Sequence, residues 1–237
     1  TGSGKTRTSI AAAKKAVSDN RVKKTIICVP KTLEEQWMKE LAEHYPERKG
    51  TFWWKSGQDD HLPFFNLNIE GSVLIVSHWF IPRLLEFADR KPKSVTNTLI
   101  IIDEMHHIGS DKYKEIGLVS NEEDEDDNMM KYLPEMFHPF SMRLGLSATP
   151  WSEYDDDRNQ LFIDNFVNSD NDISTLGEDW QEVLIKNKDI FYFGLKDGIK
   201  KGILCEFDYI ALEFTPSVDD FVRRKEAFKK IPPHLPP

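Results

Sequence analysis

The amino-acid sequence predicts a doubly wound α/β fold, in which helices cover both faces of a mainly parallel β-sheet. Four short runs with apolar centres have the composition of strands buried on both faces, and they lie at 23–30, 71–77, 96–104 and 142–149. Amphipathic stretches separate the first three runs, and this alternation is typical of βαβ units. Polar motifs stand at the carboxyl ends of these strands, where folds of this class bind their ligands.

The predicted helices alternate with these strands. The stretch 6–18 is rich in Ala and Lys, and 79–90 is a helix with an early proline. The clearest helix is 32–45, where Thr32 and Glu35 match a capping box. Leu33, Trp37 and Leu41 recur on one face of this helix, so we expect Trp37 in the core, and Gln36 on the helix surface.

The regular pattern weakens after residue 150. We expect a helix at 152–167, a loop at 169–179, then a short strand, a helix and a strand within 189–216. The proline-rich end resembles a linker. The sequence therefore predicts three segments: a nucleotide-binding core at 1–150, the remainder of that domain at 151–216, and a linker at 217–237.

Composition limits the class of protein. The 237 residues are 39% apolar and 30% charged, enough for one large α/β domain or two small ones. No apolar run approaches the ~20 residues of a membrane span, and no signal peptide is visible. Two cysteines form no disulfide framework, so we expect a reducing, cytoplasmic setting without membrane partners. The net charge of −9 argues against a general polyanion binder, but six of the 40 acidic residues lie in 121–128, an expected solvated loop.

The chain begins with TGSGKT, which matches the second half of the phosphate-binding loop G-x-x-x-x-G-K-[ST]. Glycines let backbone N–H groups approach phosphate oxygens, and the following helix would direct its positive end toward them. Lys5 would neutralise the β- and γ-phosphates of ATP, and the Thr6 hydroxyl would ligate Mg²⁺. The expected nucleotide-binding residues are Thr1, Gly2, Ser3, Gly4, Lys5 and Thr6. A Gly/Ser linker is the alternative interpretation.

A second motif, LIIIDEMHH, ends an apolar strand in two carboxylates. Beside a phosphate loop, Asp103 suits the metal and Glu104 suits the attacking water. A zinc site is a weak alternative, because the spacing is not that of the helical His-Glu-x-x-His motif. A third motif, LGLSATP, places Ser147 and Thr149 after another strand, where they could hydrogen-bond the carboxylates or His106.

These segments, in order with VPKTLEEQW, resemble motifs I, Ia, II and III of the first RecA-like motor domain of superfamily 2 helicases and translocases. The acidic box has the Asp-Glu-x-His form of the DEAH-like branch, and the segment 192–216 resembles the exit of this domain in type III restriction subunits and bacterial excision-repair-type helicases.

The resemblance implies an ATP-dependent motor that couples hydrolysis to movement along nucleic acid, DNA rather than RNA. Glu104, Asp103, Lys5 and His106 would be catalytic, and Ser147, Ala148 and Thr149 would couple the nucleotide state to the nucleic acid. The resemblance places Pro30, Lys31, Gln36, Ser77 and His78 beside the nucleic acid backbone.

The resemblance further implies a second RecA-like domain in the parent chain that supplies arginines to the site, and nuclease or methyltransferase subunits as partners. This chain alone would then be a weak ATPase. A nucleotide-gated interaction or remodelling module, an RNA helicase and a phosphate-loop metabolic kinase are the alternatives. The motif VPKTLEEQW counts against the kinase, since a kinase leaves it unexplained.

Overall fold

A computed structural model describes residues 4–59, 61–67, 69–108, 136–152, 155–167, 173–177, 179–203 and 205 of the chain. The chain divides into two compact units, Thr1–Gly194 and Leu195–Pro237. The predicted boundaries at residues 150 and 216 stay predictions. Every helix in the described ranges is too short or too polar to span a lipid bilayer.

The first unit is built on a six-stranded sheet in the order β3-β2-β4-β1-β5-β6. Its strands are β1 Lys24–Val29, β2 Gly50–Lys55, β3 Gln58–Asp59, β4 Ser72–Ser77, β5 Thr98–Ile102 and β6 Met142–Gly145. Five of them run parallel, and only the short edge strand β3 is antiparallel, to β2.

Helices cover both faces of this sheet. The helices described in this unit are α1 Lys5–Ser18, α2 Glu34–His44, α3 His61–Asn66, α4 Ile81–Arg90, α5 Pro92–Val95, α6 Asp156–Phe166, α7 Ile173–Leu176 and α8 Trp180–Lys186. On one face, α1 and α2 pack on alternate residues of the central strands, such as Ile27 and Ile75. On the other face, α3, α4 and α6 contribute apolar side chains to a cluster that also contains Ile26 and Leu74. The predicted doubly wound α/β fold is confirmed.

The three central strands are buried at every residue, which is why apolar composition predicted them closely. The half-buried strand β2 contains two adjacent tryptophans, Trp53 and Trp54. Trp54 is buried and stacks on His61, with ring centroids 3.9 Å apart.

Some predicted local features are wrong. The chain enters α2 through a 3-10 turn at Lys31–Leu33, and the residue before the helix, Leu33, makes no side-chain cap. The capping box of Thr32 and Glu35 therefore does not form, since Thr32 lies inside that turn. Residues 189–194 form no strand, and the expected loop at 169–179 contains the short helix α7.

Helices α6, α7 and α8 extend the first unit with a small apolar cluster around Ile163, Trp180 and Leu184. In the second unit the structure describes one helix, α9 Leu195–Lys200, at the position where the sequence predicts a helix. The predicted strand and linker beyond residue 205, and the acidic run at 121–128, lie outside the described residues.

Candidate functional site

The predicted motifs meet at the carboxyl edge of the sheet. Parallel register places Cys28 of β1 beside Ile102 of β5, and Ile102 beside Gly145 of β6. Backbone hydrogen bonds continue this pairing past the strand ends: the Asp103 N–H donates to the Cys28 carbonyl and the Leu146 N–H donates to the Ile102 carbonyl, both at 2.9 Å. The acidic box therefore lies between the exits of β1 and β6.

The amino-terminal end of α1 approaches this edge through Lys5. Gly4 precedes the helix in the left-handed conformation, with φ of 81°, which favours glycine. Lys5 Nζ lies 3.6 Å from Glu104 Oε1, too far for a hydrogen bond. The ammonium nitrogen is buried and has no hydrogen-bond partner in the described part of the chain. Thr6 occupies the first turn of α1, whereas Thr1, Gly2 and Ser3 lie outside the described residues.

Asp103 is held by two N–H donors. It is only 4% exposed, and its Oδ2 accepts from the indole Nε1 of Trp37 at 2.8 Å. Its Oδ1 accepts from the backbone N–H of Glu104 at 3.0 Å. Burial raises the pKa of the Asp103 carboxyl, and the hydrogen bond from Trp37 opposes that rise. Each oxygen keeps a lone pair for another ligand.

Glu104 adopts a strained backbone conformation, with φ of 50° and ψ of 48°. A non-glycine residue in this region costs on the order of 1–3 kcal/mol, and such residues cluster at functional sites. The conformation places its two carboxylate oxygens between a lysine and a histidine: Oε1 faces Lys5, and Oε2 lies 3.3 Å from His106 Nδ1.

His106 joins the acidic box to the exit of β6. Its Nδ1 lies 2.9 Å from Ser147 Oγ, and the backbone N–H of Thr149 donates to the same oxygen at 3.0 Å. Burial lowers the pKa of His106, and the nearby His107 and Arg158 lower it further. The adjacent Glu104 carboxylate opposes this fall. The side chains of Ala148 and Thr149 are exposed.

Gly145 makes room for the turn that carries the acidic box. The Met105 N–H donates to the Leu146 carbonyl at 2.9 Å, which fixes this turn to the end of β6. A Cβ at Gly145 would overlap the sulfur of Met105, which is buried beside it. The absence of a side chain at Gly145 thus lets the two strand exits lie against each other.

The residues expected beside nucleic acid divide into two groups. Lys31 and Gln36 are exposed and Pro30 is half-buried, so a strand passing the exit of β1 could contact their side chains. Ser77 and His78 are only 3% and 5% exposed, so their side chains do not face solvent. The exposed side chain of that turn is Trp79, at 50%.

Sequence reasoning missed three features of this edge: the hydrogen bond from Trp37 to Asp103, the exposure of Trp79, and the charge of Arg158 near His106. The hydrogen bond of Trp37 could have been anticipated from the sequence, because a tryptophan on a buried helix face needs a partner for its N–H. The other two depend on how distant segments pack.

A shallow groove of about 950 Å³ lies away from this edge, along α1 and the beginnings of β2 and β4. Its walls mix basic and acidic residues, and Lys14 pairs with Glu47 at 2.7 Å. The acidic box does not line this groove, whereas the polar motifs converge at the carboxyl edge.

The sequence profile described as "Type III restriction enzyme, res subunit" matches residues 1–152, more than half of the chain. The chain belongs to this family. Membership confirms the resemblance to superfamily 2 motors, so the chain contains an ATPase motor domain of the helicase and translocase type. No curated protein matches the chain.

The chain is also similar to two solved structures. The SWI2/SNF2 ATPase core of Sulfolobus solfataricus, in complex with dsDNA, is 18% identical with a TM-score of 0.46, and the match covers 86% of this chain and 36% of that one. A nuclease-deletion mutant of the Type ISP restriction-modification enzyme LlaGI, in complex with a DNA substrate mimic, is 15% identical with a TM-score of 0.39; the match covers 85% and 21% respectively. The chain thus spans about a third and a fifth of these proteins.

Proposed function

We propose that the carboxyl edge binds Mg-ATP and hydrolyses it, and that the parent protein uses this reaction to move along DNA. The observation that carries the proposal is the buried ammonium of Lys5, which lacks a hydrogen-bond partner among the described residues and faces Glu104. A buried charge without a hydrogen bond is costly, and a phosphate oxygen would satisfy it. The helix start at Gly4 is suited to the same anion.

The residues also fit a magnesium ion. The Thr6 hydroxyl and the Asp103 carboxylate are hard oxygen donors, the type that Mg²⁺ prefers, and Asp103 retains free lone pairs. Bound Mg²⁺ would neutralise charge on the β- and γ-phosphates. Glu104, placed next to Lys5, would orient the water that attacks the γ-phosphate. His106 and Ser147 would sense the nucleotide and relay its state, because they connect Glu104 to the exit of β6.

Arginines from a second RecA-like domain of the parent chain would complete the site, so the domain alone would turn over ATP slowly. A motor does work only if its closed and open states differ in their affinity for the nucleotide. Closure of this domain against the second domain would supply that difference.

The first experiment measures ATP turnover by the complete protein, with and without DNA. We expect Lys5→Ala to abolish turnover. Lys15→Ala is the matched control, because Lys15 is an exposed lysine of the same helix, paired with Asp19. DNA-stimulated turnover that survives Lys5→Ala would refute the ATPase site.

The nucleic acid surface would follow the exits of β1 and β4, through Lys31, Gln36 and Trp79. Membership of a restriction-enzyme family supports DNA over RNA. The test is charge reversal, Lys31→Glu, with Lys39→Glu on the exposed surface of α2 as the control. We expect only Lys31→Glu to weaken binding of labelled DNA. Equal loss for both variants, or stimulation of the wild type by RNA alone, would overturn the assignment, and unchanged binding would favour an interaction module that does not follow nucleic acid.

A further inference from the structure

A buried hydrogen bond connects the middle of α2 to the acidic box. The indole N–H of Trp37 donates to Oδ2 of Asp103 at 2.8 Å, between residues 66 positions apart in the chain. Trp37 is 1% exposed, and with Leu41 it packs on the sheet face that α1 also covers. The indole cannot swing away without disrupting that core, so the direction of its N–H is fixed.

The bond is one of two that hold the Asp103 carboxylate, one on each oxygen. Hydrogen bonds from an N–H to a carboxylate are charge-assisted and about twice as strong as neutral ones. Together with the backbone N–H of Glu104 on Oδ1, the indole also fixes the plane of the carboxylate.

We propose that Trp37 is a positioning residue for Asp103, which it holds oriented for the magnesium ion of the bound nucleotide. The inference rests on the proposed function. Magnesium demands a near-ideal ligand geometry, so a carboxylate free to rotate would bind it less well. Groups that orient metal ligands in this way typically change metal affinity 10- to 100-fold when they are removed.

The test is Trp37→Phe in the complete protein, which removes the donor and keeps an aromatic ring. We expect the Mg²⁺ concentration for half-maximal ATP turnover to rise roughly 10-fold or more. The KM for ATP at saturating Mg²⁺ should change less than about threefold, since Lys5 and the helix start are untouched. A readout without turnover is calorimetric binding of ADP over a Mg²⁺ series: the variant should need more Mg²⁺ for the same affinity.

The matched control is Trp54→Phe. Trp54 is also buried in the core, but its indole nitrogen has no hydrogen-bond partner in the described ranges. This variant loses the same volume without losing a hydrogen bond, so its Mg²⁺ dependence should equal that of the wild type. Equal Mg²⁺ dependence in both variants would show that Trp37 only packs, and would overturn the proposal.

A second form of the test applies if Trp37→Phe does not fold. Benzothienylalanine at position 37 replaces the indole N–H by sulfur with almost no change of volume, so it removes only the donor. A wild-type Mg²⁺ dependence in that protein would overturn the proposal. Failure of the proposed function is distinguishable, because the wild type itself would then bind no ADP at any Mg²⁺ concentration.

Discussion

The chain leaves β4 and β5 through similar backbone paths but exposes opposite kinds of side chain. Both strands are fully buried, and both lead into a three-residue 3-10 turn at the carboxyl edge, His78–Phe80 and Met105–His107. After β5, the carboxylate of Glu104 remains partly accessible between Lys5 and His106. After β4, the polar Ser77 and His78 are buried and the apolar Trp79 is exposed.

The difference teaches that position at this edge does not by itself define a chemical role. The extra residues Asp103 and Glu104 precede the turn after β5, and the strained backbone of Glu104 directs its side chain toward α1. The turn after β4 follows the strand directly, and its first residue, His78, is buried. We therefore propose that nucleotide chemistry belongs to the β5 exit and surface contact to the β4 exit.

The largest expected effect is on ATP turnover, which should depend on the β5 exit and not on the β4 exit. Glu104→Gln keeps the size of the side chain but removes the charge that would orient water, and we expect ATP turnover to fall by about 100-fold or more. Binding of DNA should persist, because the β4 exit is unchanged. Steady-state ATPase assays and binding of a labelled oligonucleotide would measure both. The exposed Glu35→Gln on α2 is the control, and a loss of turnover there equal to that of Glu104→Gln would refute the role of Glu104.

The second prediction concerns pH and the buried histidine of the β4 exit. Burial and the neighbouring His107 lower the pKa of His78 to about 4. The unfolded chain binds a proton near pH 6.5 and the folded chain does not, so stability is fully present above pH 6.5 and is lost as the pH falls toward 4. At one pKa unit per 1.4 kcal/mol, this group contributes about 3 kcal/mol of that loss.

Urea unfolding at several pH values tests this prediction through the difference between the wild type and His78→Gln. That difference cancels the contributions of other groups, including the raised pKa of Asp103, and it should shrink as the pH falls from 7 to 4. A difference that is constant with pH would show that His78 titrates normally in the folded protein.

Much of this arrangement was predictable from the sequence, and the reason is physical. Parallel strands buried on both faces have apolar composition throughout, and their carboxyl ends lie at one edge, so motifs 100 residues apart could be placed together. The contact of His106 with Ser147 follows from that placement, and the structure forms it.

The remaining features depend on contacts that periodicity does not encode. Whether Ser77 and His78 face solvent is decided by the turn that follows β4, and the partner of the Trp37 indole by packing between α2 and β5. The failed capping box at Thr32 has the same origin, because the 3-10 turn already directs the chain into α2. The first strand expected within 189–216 does not form, because a short apolar run does not by itself identify a strand.

The third prediction tests how the β5 exit is supported. Gly145→Ala would place a methyl group against Met105, which must then move, and overpacking of this kind typically costs about 1–3 kcal/mol. We expect a lower urea midpoint and reduced turnover, because Met105 follows Glu104 directly. Met105→Ala removes the clash, so adding Gly145→Ala to it should cost less than about 0.5 kcal/mol. Additive losses in the double variant would show that the two residues do not interact.

The smallest expected effect lies at the β4 exit. If Trp79 contacts a base of single-stranded nucleic acid, Trp79→Ala should weaken binding of a labelled single strand by roughly tenfold, since stacking contributes about 1–3 kcal/mol per base. Trp79→Phe keeps a stacking face and should restore most of the affinity. Turnover without nucleic acid should stay within about twofold of the wild type, because the β5 exit is untouched.

Leu67→Ala, at another exposed apolar side chain, is the control for general loss of apolar surface. Fluorescence polarisation with single-stranded DNA, duplex DNA and RNA would measure the series. A loss in Trp79→Ala that Phe does not restore would argue against stacking, and equal affinity for all variants would leave Lys31 and Gln36 at the β1 exit as the surface that contacts the strand.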